Sequence, residues 1–333
     1  MTTAPAAAAA VTPTPDVVRR IVGLATCAPS VHNTQPWRWR AQPGAGLLEL
    51  RADRCRQLQV ADPDGRNLAV SCGAALHHAQ QAARALGWSS RVERLPEGPN
   101  SDLLARIHLV AAQPPLDAGD IVDTLQRRHT DRRRFTTWPM SAAELTRLAS
   151  EAEAWGTRAV LLVDGAQRAH AETLVHRALQ LQEANPSLAV EQQAWIDRAA
   201  HDGVPFSVLP LPEDADARST NRFAPLVAGA RAPVVTSTDG LLVLCAGQDE
   251  PLAWLRGGES LSALWLAATR APLSVVPLSQ VVEVPQTRRE LGQLLPGSAQ
   301  HPVILVRVGW QPMTLKPAAH TSRRPIEEVL RIA

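Results

Sequence analysis

Ten residues, Ala28-Pro29-Ser30-Val31-His32-Asn33-Thr34-Gln35-Pro36-Trp37, place hydrogen-bonding side chains between two prolines and end in an aromatic ring. The prolines fix φ and push the residues before them toward extended conformations, so Ser30, Asn33 and Gln35 project from a stiff loop. A rigid loop presents donors and acceptors at low entropic cost, which suits a planar, polar ligand. On local chemistry alone, a polar loop that caps the preceding helix and starts a strand fits equally well.

A second cluster, Arg127-Arg128-His129-Thr130-Asp131-Arg132-Arg133-Arg134-Phe135, holds five arginines in nine residues. Guanidinium forks match phosphate oxygens, and a neighbouring hydroxyl adds a donor. Taken alone, such a run is more often a solvated surface. Arg323-Arg324-Pro325-Ile326-Glu327-Glu328-Val329 is a third candidate, and alone it reads as a charged tail. His32 either contacts a ligand or bonds the loop backbone. His77-His78 lacks a third ligand at metal-site spacing. No Gly-x-Gly-x-x-Gly follows a strand, and neither a P-loop nor a Gly-x-Ser-x-Gly elbow occurs.

Together these motifs resemble the nitroreductase superfamily, in which a Pro-Ser-x-x-Asn-x-Gln-Pro-Trp run contacts the isoalloxazine ring of FMN. More narrowly, they resemble the Acg-type branch, single chains in which two nitroreductase-like halves are fused and imitate a homodimer. The resemblance implies an α+β fold. It implies that Ser30, Asn33, Gln35, Pro36, Trp37 and Arg38 lie at the flavin, and that Arg128, Thr130, Arg132, Arg323 and Arg324 hold its phosphate. The chain departs from the family pattern in two ways. His129 stands where an arginine would directly precede the hydroxyl, and the spacing to Phe135 is one residue longer, so Arg128 takes the first contact. The first half carries the ring loop without a phosphate motif and the second the reverse, which implies one complete site.

The function so implied is transfer of electrons from NADPH or NADH, through FMN, to a small nitroaromatic or quinone-like acceptor. An alternative from another class is an FMN storage or sequestering protein whose closed lid prevents turnover. A third is a basic-patch interaction protein without flavin.

Across 333 residues, 34 basic and 32 acidic side chains leave a net charge of +2, which argues against nucleic acid or an anionic membrane as partner. Cysteines 27, 55, 72 and 245 show no C-x-x-C spacing, and with no long apolar run the expected location is cytoplasmic. Residues 1–15 read as a disordered leader, 16–125 as a first half and 126–333 as a second. A proline-rich stretch, 201–236, reads as a lid. A fused pseudo-dimer is expected to be a monomer or a weak homodimer.

Periodicity supplies the elements that must carry these motifs. Asp16 is the expected N-cap of a helix that Pro29 terminates. Strands are expected at 37–41, 47–52, 103–109, 159–163, 241–246 and 303–308. Helices are expected at 66–86, 141–155, 166–184, 187–200 and 258–270, the second opened by a Ser141–Glu144 capping box. Laying Gly73–Ser89 on Gly258–Ser274 gives five identities in 17 positions, including Gly73 with Gly258, as an internal repeat predicts.

Overall fold

A computed structural model describes residues 11–131, 135–198, 200–205, 238–297, 300–311 and 321–333. Helix α1, Pro15–Ala25, begins one residue before the expected cap. Thr14 is the N-cap instead, its Oγ1 accepting from Val17 N at 3.3 Å, because Pro15 supplies the fixed φ of a first helical position. Strands β1 (Trp37–Gln42) and β2 (Leu47–Ala52) follow as an antiparallel pair around a turn at Gly46, whose φ is +61°.

The long helix α2, Arg66–Ala85, is buried along most of its length. Strands β3 (Trp88–Arg94) and β4 (Leu103–Ala111) and helix α3 (Ala118–Arg127) complete the first part of the chain. In α4, Ala142–Glu153, the Ser141–Glu144 capping box forms in both directions. After it come β5 (Arg158–Leu161), α5 (Gly165–Glu183), α6 (Pro186–Gln193) and β6 (Gly240–Ala246). Helix α6 stops well before residue 200, and the chain then turns back so that Ile196 bridges Val204.

Helix α7, Pro251–Arg270, starts seven residues earlier than its glycines suggest. Gly257 and Gly258 sit inside the helix because their missing side chains admit Val303 and the α2 backbone, so they are packing residues and not a start signal. The remaining elements are β7 (Leu273–Leu278), α8 (Gln280–Glu283), α9 (Pro285–Gln293), β8 (His301–Trp310), α10 (Ile326–Val329) and β9 (Leu330–Ile332).

These elements make the expected α+β fold with two sheets, ordered β3-β4-β2-β1-β9 and β5-β6-β8-β7. Apart from β9, the orders correspond strand for strand: a long buried helix links the second strand of each set to the third, and all pairs are antiparallel. Those two helices, α2 and α7, have equal length and pack against each other along the middle of the molecule. The end of the chain, β9, crosses over to pair in parallel with β1. Trp37, Trp39 and Trp265 are among the largest fully buried side chains. No helix among the described residues is long and apolar enough to cross a membrane.

Candidate functional site

Between α1 and β1 the chain runs through residues 26–36, with Pro29 and Pro36 near its ends. Within it His32, Asn33 and Gln35 adopt left-handed backbone, with φ of +48°, +54° and +48°. Side chains other than glycine rarely accept this conformation, and it persists only where the surroundings over-determine it. Here they do: Ser30 Oγ accepts from Gln35 N at 3.0 Å, Thr34 N donates to Val31 O at 2.9 Å, and Val31 N donates to Ser71 Oγ on α2 at 3.2 Å.

The loop walls one side of a cavity that opens to solvent. Ser30, Val31 and His32 border it from the loop, and Asn67, Val70, Ser71 and Ala74 from α2. The opposite wall comes from the second half of the chain: Leu261 and Trp265 on α7, and Val276 to Gln280 where β7 passes into α8. Thr130 closes the rim. The walls thus combine apolar side chains with a nearly equal share of polar groups.

Two guanidiniums converge on carbonyls at the start of the same loop, and neither borders the cavity itself. Arg128 donates from Nε and Nη2 to Cys27 O at 3.3 and 3.1 Å and lies 4.8 Å over the Trp265 ring. Arg323 donates from Nη2 to the same carbonyl at 3.2 Å and from Nε to Thr26 O at 2.8 Å. Among the described residues no carboxylate pairs with either. Burial first, and then the other's charge, depresses the pKa of Arg128, while burial depresses that of Arg323. Arginines keep their charge regardless, so two like charges share one carbonyl in a dehydrated place. Arg128 Nη1 is buried and without a hydrogen-bond partner among the described residues. The arrangement suits an anion.

The other residues singled out from sequence are engaged elsewhere. Asn33 Nδ2 donates to Gly203 O at 2.9 Å and Ser322 O at 3.1 Å. Gln35 Nε2 donates to His201 O at 2.8 Å, and its Oε1 accepts from Arg324 N at 2.9 Å. Pro36 O accepts from Asp53 N at 2.9 Å, Trp37 packs in the core, and Arg38 pairs with Asp53 at 2.9 Å. Arg324 turns toward Asp53 and Glu328, at 3.8 and 3.2 Å, away from Arg128. Arg132, and residues 206–236 of the stretch read as a lid, lie outside the described residues.

No family model matches the chain. It is 34% identical over 322 residues to "Putative NAD(P)H nitroreductase Rv3131" of Mycobacterium tuberculosis, covering 96% of this chain and 92% of that protein. The Mycobacterium tuberculosis "Putative NAD(P)H nitroreductase acg" is 33% identical over 325 residues, covering 96% of each. The chain belongs to the Acg-like nitroreductase family. Among solved structures, a putative nitroreductase from Anabaena variabilis covers 89% of this Acg-like chain at 10% identity, with a TM-score of 0.48.

Sequence reasoning missed part of the cavity of this Acg-like protein. Asn67 and Ser71 carried a signal, as polar residues on an otherwise apolar helix stripe. Asn67 Nδ2 reaches Glu283 Oε1 across the rim at 3.0 Å. Asp62 accepts from the α2 amides of Asn67 and Leu68 at 3.0 and 2.9 Å. Burial, aided by nearby Glu283, raises its pKa to about 6. Ser279 and Gln280 gave no local signal, because only the return of β7 beside α2 brings them to the cavity. His77 and His78 are core residues whose Nδ1 atoms both meet Ser262 Oγ, at 2.7 and 2.8 Å, and burial holds both rings neutral.

Proposed function

We propose that this chain binds one FMN in the cavity between its two halves and passes electrons from NADPH or NADH to a nitroaromatic or quinone-like acceptor. The observation that carries the reading is the pair Arg128 and Arg323, without a carboxylate partner among the described residues and joined to the cavity through Trp265, on which Arg128 stacks. A flavin phosphate supplies such an anion, and Arg128 Nη1 supplies a donor for it. Thr130 adds a hydroxyl, and Arg132 remains part of the proposed phosphate set.

Ser30 and Val31 would flank the isoalloxazine from the loop, while Val70, Leu261 and Val276 would exclude water from it. Bound flavin supplies the hydride-accepting and electron-donating chemistry, while the chain supplies position and electrostatics. The names of relatives at 33 and 34% identity support the same assignment. The matching strand orders support an origin by fusion of two halves, about 16–125 and 126–333, in which a single chain completes its own site.

A second reading, flavin sequestration without turnover, draws support from the segment His201–Gly203. Asn33 and Gln35 hold its carbonyls, and Asp202 pairs with Arg56, so second-half chain is tied across the loop.

An absorbance spectrum of the purified protein, followed by anaerobic additions of NADPH and NADH with and without a nitroaromatic, separates the readings. Bound FMN bleached by either nucleotide and reoxidised by the acceptor is the expected result. Bound FMN that only dithionite bleaches selects sequestration. A chain that cannot be reconstituted with FMN removes both.

A further inference from the structure

We propose that Gln280 recognises the hydride donor: its carboxamide pairs with the carboxamide of the nicotinamide and orients that ring in the cavity. The proposal rests on the flavin reading above. It assigns the nucleotide, and not the electron acceptor, to the wall where β7 passes into α8.

Unused hydrogen-bond capacity is the first argument. Gln280 borders the cavity and is only 2% exposed, yet its carboxamide bonds to no described residue. Its polar atoms are not sealed in, as Thr34 Oγ1 and Trp39 Nε1 are, so the exposure they keep opens on the cavity. The polar side chains around it are committed. Ser71 Oγ donates to Asn67 O at 2.7 Å and accepts from Val31 N at 3.2 Å, and Ser30 Oγ accepts from Gln35 N at 3.0 Å. Asn67 Nδ2 donates to Glu283 Oε1 at 3.0 Å. Water serves the Gln280 amide while the cavity is open, and a ligand that displaces this water must replace both its donor and its acceptor or lose affinity.

Fixed position is the second. Ser279 O accepts from Val282 N and Glu283 N, both at 3.0 Å, and closes the turn that carries Gln280. Val281 and Val282 are fully buried, and Val281 O accepts from Thr287 Oγ1 at 2.7 Å. The backbone beneath Gln280 is therefore ordered before any ligand arrives, which lowers the entropic cost of recognition.

The choice of ligand follows from donors and acceptors. Nitro groups and quinones offer oxygens alone, so either would leave the Gln280 oxygen unpaired once water is displaced. A nicotinamide carboxamide offers a donor and an acceptor side by side, and two carboxamides can exchange a pair of N–H···O bonds. An isoalloxazine edge has the same pattern, but under the proposed function the loop across the cavity flanks that ring. The opposite wall is left for the hydride donor. When C4 of the dihydronicotinamide gives hydride to the flavin, its C–H bond breaks with both electrons, which the flavin gains, and the donor ring becomes a pyridinium cation. The carboxamide pair is unchanged by that step, so Gln280 acts through binding and orientation.

The test compares the full chain, loaded with FMN, with its Gln280→Leu and Gln280→Met variants. Anaerobic stopped-flow bleaching is followed with NADPH, NADH and the 3-acetylpyridine analogue of each, in which a methyl group replaces the amide nitrogen. A readout independent of turnover is the affinity for tetrahydronicotinamide NADPH, which keeps the carboxamide and cannot give hydride, read from the change it makes in flavin absorbance. Loss of two neutral hydrogen bonds predicts about tenfold weaker binding of each carboxamide nucleotide in both variants. The acetyl analogues, which keep only the acceptor, should lose about threefold. FMN affinity should stay unchanged, which also shows that the variants are folded. Equal losses for carboxamide and acetyl nucleotides would overturn the proposal, as would unchanged binding of the carboxamide nucleotides. Weaker FMN binding would make Gln280 a flavin contact, and slower reoxidation by a nitroaromatic after normal reduction would give it to the acceptor; either result also overturns the proposal. A wild-type chain that holds FMN but is bleached by neither nucleotide fails the reductase reading itself, before any variant is made.

Discussion

Gly73 and Gly258 face each other where α2 crosses α7, and each lies against the backbone of the other's helix. A Cβ on Gly73 would overlap the Leu255 carbonyl, and a Cβ on Gly258 the Val70 carbonyl. Val70 and Leu255 each stand three positions before the glycine of their own helix, so the contact reads the same from either side. Backbone cannot rotate out of the way as a side chain can. Gly73→Ala and Gly258→Ala should therefore each cost about 3 kcal/mol, the upper end of the overpacking range. The double variant should cost less than the sum, because the first separation of the helices makes room for the second. Urea unfolding measures all three, and a harmless Gly258→Ala would show that the two helices can part freely.

The same registration places Glu259 at the position of Ala74, Gln80 at that of Trp265 and Arg94 at that of Ser279. Those three counterparts border the cavity, whereas Glu259, Gln80 and Arg94 join one another. Arg94 Nε and Nη2 each lie 2.7 Å from Glu259, and Gln80 Nε2 lies 2.8 Å from it. Glu259 is wholly buried, so at these registered positions an ion pair stands where the other set borders a cavity. Removing one member of such a pair typically costs about 3–5 kcal/mol. Glu259→Ala should show that loss in chemical denaturation, and Arg94→Met/Glu259→Leu should recover most of it. Equal losses in the single and double variants would mean that packing, not charge, is what matters there.

Sequence order made the local part of this architecture legible and hid the part that depends on return of the chain. The α2 stripe, the Ser141–Glu144 capping box and the β1–β2 pair are local patterns, and the structure repeats them. The alignment of Gly73 with Gly258 was readable but their contact was not, because the expected helix began at Gly258 and only the structure carries it back to Pro251. Strand β9 was not, since Leu330–Ile332 is too short to show a period and is a strand only through β1. Nor were the partners of the loop amides. Asn33 meets Ser322 across 289 positions and Gln35 meets His201 across 166, and no local motif specifies such contacts. Arg323 and Arg324 looked equivalent as neighbours in sequence, yet Asp53 takes one and leaves the other to Arg128.

Asp62 gives the fold a pH dependence with a definite sign. Its carboxylate accepts two amides at the start of α2, yet burial raises its pKa from 3.8 to about 6. Between these values the folded chain holds a proton that the unfolded chain has lost. Its contribution to stability is thus fully present below about 3.8 and lost as pH rises through about 6. The shift corresponds to roughly 3 kcal/mol. Asp62→Asn keeps an oxygen for the helix amides and removes the titration. Its unfolding free energy should therefore gain on that of the wild type as pH is raised from 4 to 7, and parallel profiles would place the charge elsewhere.

Arg128 should trade stability against binding. In the ligand-free chain its charge is buried beside Arg323, and its Nη1 has no hydrogen-bond partner among the described residues. Each of these opposes folding, and an unsatisfied buried polar group alone costs about 1–3 kcal/mol. Arg128→Gln removes the repulsion and keeps an amide donor for Cys27 O, so its ligand-free thermal midpoint should rise. FMN affinity should fall tenfold or more in the same variant, since hydrogen bonds to charged groups contribute about 1.5–3 kcal/mol each. Differential scanning fluorimetry with and without FMN reads both effects. In the wild type the flavin should raise the midpoint more than riboflavin does, because its phosphate neutralises charges that the fold alone leaves opposed. A ligand-free Arg128→Gln chain that melts earlier than the wild type would show that stacking on Trp265 outweighs the repulsion. An FMN affinity unchanged by the substitution would move the phosphate away from this pair of arginines.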